Sequence, residues 1–187
     1  MHLLKKKKEK KMGRKMNEKV SLRPFEKEDI PLKVKWVNDS ENNEFLHYDI
    51  PLTVEKTQKW WEGVKDREDR KDFIILYEEI PVGLIGLLNI DKKNSNAELH
   101  IILGEKEYKG KGIAKKAVKA LLDYSFSKKE LNKVFLYVDD DNEIAKKLYE
   151  KVGFIKEGIL KSHMYHNGQF IDRCIYGITK NNYEAIK

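Results

Sequence analysis

The sequence is poor in the features that make disulfides and membrane spans. Its only cysteine is Cys174, so no internal disulfide can form, and a free thiol suits a reducing compartment such as the cytoplasm. No apolar run approaches the roughly 20 residues that a membrane helix needs. The basic beginning of the chain has no apolar core after its charges, so we expect no export signal. These absences favour a cytoplasmic, globular protein that does not bind membranes.

The chain also lacks a metal-binding pattern. Its histidines show no ligand spacing with acids or with cysteine, and we therefore predict no metal site. Cys174 has no recognisable arrangement of histidine and aspartate around it in the sequence that would make it a nucleophile. Because it lies within a strand pattern, we interpret it as a small, buried apolar residue.

The positive charge of the chain is concentrated at its beginning. The formal net charge is +7, from 38 basic and 31 acidic side chains. Residues 1–15 hold eight of the basic and one of the acidic side chains, which leaves 30 of each for residues 16–187. We therefore divide the chain into a basic, disordered tail at 1–15 and one globular domain at 16–187. We expect no nucleic-acid partner, and the tail fits a mis-assigned start, with translation beginning at Met12 or Met16.

Hydrophobic periodicity predicts a chain that contains both strands and helices. Apolar residues recur at helical spacing in four segments and at strand spacing in seven. The predicted helices are at 27–38, 53–66, 112–128 and 142–152, and the predicted strands are at 20–25, 72–77, 82–90, 97–103, 134–138, 154–165 and 170–177. Residues 40–49 read as polar and irregular. The order is β-α-α-β-β-β-α-β-α-β-β, in which the three consecutive strands suggest an antiparallel meander.

Two motifs in the second half of the chain carry chemistry. Residues 108–114 read Tyr-Lys-Gly-Lys-Gly-Ile-Ala and open the longest predicted helix. Such a turn binds anions because its free N–H groups and the helix dipole point the same way. Gly110 and Gly112 let the backbone approach a phosphate without side-chain obstruction. About thirty residues later, residues 142–154 read Asn-Glu-Ile-Ala-Lys-Lys-Leu-Tyr-Glu-Lys-Val-Gly-Phe.

Together, in this order, the two motifs resemble the GCN5-related N-acetyltransferase (GNAT) superfamily, whose members transfer an acyl group from acetyl-CoA to an amine. The family's pyrophosphate loop begins with Gln or Arg, where this chain has Lys109. The resemblance covers about residues 20–179. It implies an α+β fold in α/β/α layers, the acyl-CoA N-acyltransferase fold. Its mixed, mostly antiparallel sheet splays at the cofactor cleft between the strands at 97–103 and 134–138.

The resemblance also implies functional residues. Tyr149 occupies the position of the general acid that protonates the departing thiolate, although an inward tyrosine on a helix is also typical of a core. We predict Glu98 as the general base; the alternative is that Glu98 only belongs to a charged, solvated face of its strand. Other candidate bases remain open: His100, Glu41, Glu44, His47 and Asp49. The residues expected to bind acetyl-CoA are Ile101, Ile102, Leu103, Lys109, Gly110, Lys111, Gly112, Ile113, Ala114, Asn142 and Ala145.

The motifs specify the acyl donor better than the acceptor. The two ends of the domain resemble a subgroup that acts on ribosomal-protein N-termini, and also relatives that act on polyamines and amino-sugar nucleotides. The acidic stretch at 41–49 favours a cationic acceptor, either a peptide or protein N-terminus or a polyamine. An amino-sugar nucleotide stays open as the alternative. A non-catalytic acyl-CoA-binding regulatory module is the alternative from another class, and the resemblance also suggests a homodimer.

Overall fold

The computed structural model describes residues 19–187, so the predicted basic tail at 1–15 and both candidate starts lie outside the described residues. The strands are β1 (Val20–Pro24), β2 (Lys71–Tyr77), β3 (Ile80–Asp91), β4 (Asn96–Leu103), β5 (Lys133–Asp139), β6 (Ile155–His166) and β7 (Gln169–Thr179). The helices are α1 (Ile30–Asn38), α2 (Ser40–Asn43), α3 (Val54–Val64), α4 (Ile113–Ser127), α5 (Glu143–Val152) and α6 (Lys180–Ile186). No helix in this part of the chain is long and apolar enough to cross a membrane.

The seven strands form one mixed sheet that opens in its middle. The strand order is β1-β2-β3-β4-β5-β7-β6, and every neighbouring pair is antiparallel except β4 and β5. Pairing between β4 and β5 runs only from Asn96 to Glu98 on β4 and from Lys133 to Phe135 on β5. Beyond these residues the two strands separate, which confirms the predicted splay. Backbone groups of β4 after Glu98 therefore lack a partner strand on that side.

Helices cover both faces of the sheet, as the predicted layers require. The larger core lies between the sheet and helices α4 and α5, and it includes Ala97, Leu121 and Val134. The smaller core lies on the other face, where Trp36 of α1 packs with Ile102 of β4. Because successive side chains of a strand point to opposite faces, β4 contributes to both cores.

Two elements differ from the sequence prediction. Residues 40–49 are not wholly irregular, because α2 forms where the Asp39 carboxylate accepts hydrogen bonds from the N–H groups of Glu41 and Asn42. The chain also ends in an unpredicted helix, α6. Its first turn is capped by Thr179, and its Tyr183 is buried against α4. Both are short helices whose caps decide their formation, a signal weaker than hydrophobic periodicity.

Cys174 is fully buried in β7, as predicted. Its Sγ donates a hydrogen bond to Asp140 Oδ1 at 2.9 Å. Burial and the neighbouring carboxylate raise the pKa of this thiol, so the thiol form is favoured. The residue is therefore an internal packing group.

Candidate active site

A cavity of about 1360 Å³ occupies the opening between β4 and β5 and extends to both faces of the sheet. We call it the main cavity. It brings together most of the site residues predicted from the sequence. Those that line it are Glu98, Ile101, Ile102, Leu103, Lys109, Gly110, Gly112, Ile113, Ala114, Asn142, Ala145 and Tyr149. Lys111 does not line it; its ammonium lies 5.1 Å from the centroid of the Tyr108 ring.

The glycine-rich turn presents a row of unpartnered donors to this cavity. The backbone N–H groups of residues 110–115 find no acceptor within residues 19–187. Gly110 and Gly112 both have φ near +75°, a left-handed conformation that a side chain would strain. Gly112 is also the residue that opens α4. Unpaired amides at a helix start suit a phosphate group, so the chain geometry fits the pyrophosphate of CoA.

The side chain of Lys109 points away from this row of amides. Its Nζ donates to Asn42 Oδ1 at 2.8 Å. Asn42 is buried in α2, and its Nδ2 donates to the carbonyl oxygens of Trp36 and Gly104 at 3.1 and 3.0 Å. Asn42 thus connects the glycine-rich turn to α1 and to the residue that follows β4. No local pattern could predict this contact, because 67 residues separate its two partners.

Tyr149 lies where α5 meets the main cavity. It is 7% exposed and packs edge-on against Phe154, with ring centroids 5.8 Å apart. Its hydroxyl makes no hydrogen bond within the described residues, although the side chain lines the cavity. Burial raises the pKa of Tyr149 to about 12. The phenol is therefore protonated at neutral pH and can act as a proton donor.

Asn142 has a structural task beside α5. Its Oδ1 accepts a hydrogen bond from the Ala145 N–H at 3.0 Å and caps the helix. The cap fixes the first turn of α5 and so the direction in which the helix presents Tyr149.

Glu98 and His100 share one face of β4, as predicted, and both line the main cavity. Glu98 is half-buried, and its Oε2 accepts a hydrogen bond from Asn89 Nδ2 at 3.1 Å. His100 Nε2 lies 3.1 Å from Asp72 Oδ1. Burial lowers the pKa of His100, and the Asp72 carboxylate only partly offsets that effect. Glu98 therefore has one side-chain hydrogen-bond partner, whereas the nearby Asp72 carboxylate contacts both Arg70 and His100.

A group of side chains lies around His100, with Lys33 buried and the others half-buried, and the sequence reasoning missed all its members except His100. We call it the basic arm of the main cavity; its members are Lys33, Tyr48, Trp60, Arg70 and His100. They come from α1, the 44–53 loop, α3, the start of β2 and β4, so no local motif could reveal them. Lys33 and Arg70 both lie against the Trp60 ring, 3.2 and 5.0 Å from its centroid.

A second, acidic cavity of about 540 Å³ adjoins the main cavity. We call it the acid cavity; its lining residues are Glu44, Phe45, His47, Asp139, Asp140, Asp141, His166, Asn167, Gln169, Phe170, Ile171 and Asp172. Glu44, Phe45 and Asp139 line both cavities, so the two spaces meet there. Glu44 and Asp141 form no ion pair within residues 19–187, whereas Asp172 is paired with Lys161 at 2.6 Å.

The junction of the two cavities contains a buried histidine–carboxylate pair. His47 Nε2 lies 2.5 Å from Asp139 Oδ2, and both side chains are at most 5% exposed. Arg173 Nε lies 3.4 Å from the other carboxylate oxygen of Asp139. Although these groups are close, no set of three or more His, Cys, Asp or Glu side chains in residues 19–187 is arranged to hold a metal ion. The pair joins the 44–53 loop to the end of β5.

Comparisons with known proteins agree with this geometry. The sequence model of the family described as "Acetyltransferase (GNAT) domain" matches residues 19–155. Spermidine N(1)-acetyltransferase of Escherichia coli (strain K12) is 34% identical over 165 residues, covering 84% of this chain and 86% of that protein. Putative ribosomal N-acetyltransferase YdaF of Bacillus subtilis (strain 168) is 34% identical over 113 residues, covering 60% of this chain and 61% of that protein.

A solved structure matches over nearly the whole described chain. The crystal structure of spermidine N-acetyltransferase from Vibrio cholerae in complex with CoA and spermine has a TM-score of 0.83 to this protein, at 26% sequence identity. The match covers 90% of this chain and 99% of that chain. The predicted fold, with its mixed seven-stranded sheet and flanking helices, is thereby confirmed.

Proposed function

Because the chain belongs to the family of GNAT acetyltransferases, and is therefore an acetyl-CoA-dependent N-acetyltransferase, we propose that its acceptor is a cationic primary amine. A polyamine is favoured, with a peptide or protein N-terminus as the second member of the same class. The observation that carries this proposal is the acid cavity, which opens onto the main cavity at Glu44 and Asp139. A homodimer in the cytoplasm stays a prediction.

The acid cavity suits a chain that carries several positive charges. Its two unpaired carboxylates, Glu44 and Asp141, add attraction for a cation without a competing lysine. When one amine of a polyamine lies between β4 and β5 to react, its other ammonium groups can lie near the carboxylates of the acid cavity. Clefts lined by charge of one sign concentrate ligands of the opposite sign. The spermidine acetyltransferases of Escherichia coli and Vibrio cholerae support this choice, and the ribosomal relative supports the peptide.

The donor is held mainly by backbone groups in this proposal. The amides of residues 110–115 bind the pyrophosphate of acetyl-CoA, and the pantetheine arm enters between β4 and β5. Lys109 lines the cavity, but its amide donates to the carbonyl oxygen of Lys106 at 3.0 Å and its side chain is engaged with Asn42. Backbone N–H groups of Ile101 to Leu103 that face the opening stabilise the oxyanion of the tetrahedral intermediate.

Two side chains complete the chemistry. The acceptor nitrogen attacks the thioester carbonyl while Glu98, directly or through a water, accepts the proton that the amine loses. The carbon–sulfur bond then breaks, and the Tyr149 phenol donates its proton to the departing thiolate. Reprotonation of Tyr149 from solvent and release of the amine proton from Glu98 restore the enzyme. The products are an N-acetylated amine and CoA.

The test is acetyl transfer to matched amines at equal concentration. Thiol release from acetyl-CoA is measured with spermidine, with a short peptide bearing a free N-terminus, and with pentylamine, whose alkyl chain carries no second charge. We expect kcat/KM for spermidine to exceed that for pentylamine at least tenfold, and the difference to shrink as salt is added because exposed charges are screened. Equal values for spermidine and pentylamine at low salt would contradict a cationic acceptor.

A further inference from the structure

The basic arm contains a buried lysine whose ammonium no carboxylate contacts within the described residues. Lys33 is 5% exposed, and its Nζ makes no ion pair or hydrogen bond within residues 19–187. The nitrogen instead lies 3.2 Å from the centroid of the Trp60 ring and 5.8 Å from that of Tyr48. Aromatic faces attract a cation, but they do not replace the hydration that burial removes.

The acidic group beside this lysine is already engaged. Asp72 accepts hydrogen bonds from Arg70 Nε and Nη2 at 2.6 and 3.0 Å, and His100 Nε2 lies 3.1 Å away. These partners hold the pKa of Asp72 well below its usual range despite its burial. The Asp72 carboxylate is therefore bonded to Arg70 and faces His100, and it attracts the Lys33 ammonium only from a distance, without an ion pair.

The titration of Lys33 is consistent with an unfilled place for a negative charge. Burial lowers the pKa of Lys33 to about 7; the nearby Arg70 guanidinium adds to the decrease, and the Asp72 carboxylate opposes it. A group that is half-protonated near neutral pH gains its full charge when an anion approaches. Both Lys33 and Arg70 line the main cavity, so a ligand can reach them.

From this arrangement we propose that the basic arm is an anion-binding subsite, in which Lys33 and Arg70 hold a carboxylate or phosphate group of a ligand. Trp60 is the shared support that keeps the two cations on one wall. The subsite goes beyond the proposed acceptor and does not depend on it, because a polyamine tail would lie in the acid cavity. Its ligand is either an acidic group carried by an acceptor or a separate small anion.

A structural role for Lys33 is the competing explanation. A lysine stem can fill a hydrophobic space while its ammonium rests on an aromatic ring. In that case methionine would serve equally well, and no ligand would depend on the charge. Replacing Lys33 by Met separates the two explanations because the two side chains have similar length and only one is charged.

The test uses inorganic phosphate as the probe and the full-length chain saturated with CoA, so that the glycine-rich turn is already occupied. Calorimetric titration is carried out on the wild type, Lys33→Met, Arg70→Gln and the matched control Lys35→Met, which removes an exposed lysine from the same helix. We expect saturable binding with a Kd of about 1 mM or tighter. Lys33→Met and Arg70→Gln should each weaken it at least tenfold, and Lys35→Met should leave it unchanged.

Two results would overturn the subsite. One is the absence of saturable phosphate binding to the CoA-saturated wild type. The other is equal binding to the wild type and to folded Lys33→Met, which would mark an adventitious ion only. Circular dichroism of each variant establishes that it is folded, and Arg70→Gln keeps the test usable if one variant fails to fold. Because binding is measured directly, the result is independent of which amine is acetylated.

A second measurement identifies the source of the anion. Acetyl transfer is compared for three amines of equal length: 5-aminopentanoate, pentylamine and cadaverine. If the acceptor carries the anion, 5-aminopentanoate is preferred over pentylamine, and Lys33→Met abolishes that preference. If a separate anion binds, phosphate still binds to the wild type, and Lys33→Met leaves the ranking of the three amines unchanged. Either ranking is compatible with the subsite once phosphate binding has been observed.

Discussion

The donor half and the acceptor half of the proposed active site are built by different means. The donor half, around the start of α4 and the splay of β4 from β5, presents backbone amides whose direction is set by two left-handed glycines. The acceptor half, made of the basic arm and the acid cavity, presents charged side chains from separate elements. Backbone amides placed by these glycines can bind a diphosphate whichever side chains surround them, whereas in our proposal side chains determine which acceptor fits. In the proposed function, the acetyl transfer and the choice of acceptor thus depend on different parts of the two adjoining cavities.

The two regions of the acceptor half also differ in how strongly one charged side chain interacts with a ligand. Glu44 of the acid cavity is exposed to water, and Lys33 of the basic arm is almost fully buried. The interaction of a charge with a ligand weakens as the surrounding dielectric constant rises. We therefore expect a single substitution in the basic arm to have a larger effect than one in the acid cavity. A substitution in the donor half should affect every acceptor alike.

The largest effect is expected from Tyr149→Phe. Removing the hydroxyl takes away the proton donor for the leaving thiolate but keeps the ring that packs on Phe154. We expect kcat to fall about 100-fold for every amine, within the range typical of general acids, with little change in the KM of the amines. Thiol release measures the rate. Tyr137→Phe, which changes another tyrosine of the same cavity, is the control and should remain active.

A loss smaller than about tenfold, or roughly 1.4 kcal/mol, would remove the general-acid role from Tyr149. A loss for one class of amine only would break the distinction between the two halves, since Tyr149 would then act on the acceptor.

Next in size is the effect of pH on stability through Lys33. Its folded pKa of about 7 lies below the ordinary value of 10.5. The unfolded chain therefore keeps this proton between these pH values while the folded chain loses it, and stability rises with pH in that window. From pH 7 to 9 we expect the wild type to gain about 2 kcal/mol relative to Lys33→Met.

Urea unfolding of both proteins at the two pH values measures this gain. Lys35→Met should follow the wild type, because Lys35 is exposed and paired with Glu105. A constant stability difference between the wild type and Lys33→Met would mean that Lys33 keeps its proton in the folded protein.

The smallest effect is expected from Glu44→Gln in the acid cavity. One exposed carboxylate should contribute up to about 1 kcal/mol to the attraction of a cationic tail. We therefore expect kcat/KM for spermidine to fall about three- to fivefold at low salt and that for pentylamine to stay the same. Glu62→Gln, a substitution on the exposed side of α3, is the matched control. An equal decrease for both amines would show that Glu44 acts on the chemistry rather than on the tail.

This comparison also explains what could be predicted from the sequence. The glycine-rich turn and the motif at 142–154 are local, and with the hydrophobic periodicity they allowed the fold, the donor and the place of Tyr149 to be predicted. The acceptor half depends on contacts between distant residues, such as His47 with Asp139, which lie 92 positions apart. Lys33, Trp60 and Arg70 meet only after α1, α3 and β2 have packed on the sheet. A single sequence contains no local pattern that predicts contacts between residues so far apart in the chain.

The most direct test of the account is calorimetric titration of acetyl-CoA into the wild type, Gly112→Val and Gly112→Asn. Valine is strongly disfavoured at the left-handed φ of residue 112, whereas asparagine tolerates it, and a Cβ added there meets no atom within 4 Å. We predict saturable binding by the wild type, similar binding by Gly112→Asn and at least tenfold weaker binding by Gly112→Val. Undetectable binding by the wild type, or equal affinity in folded Gly112→Val, would contradict the claim that the backbone of this turn holds the donor.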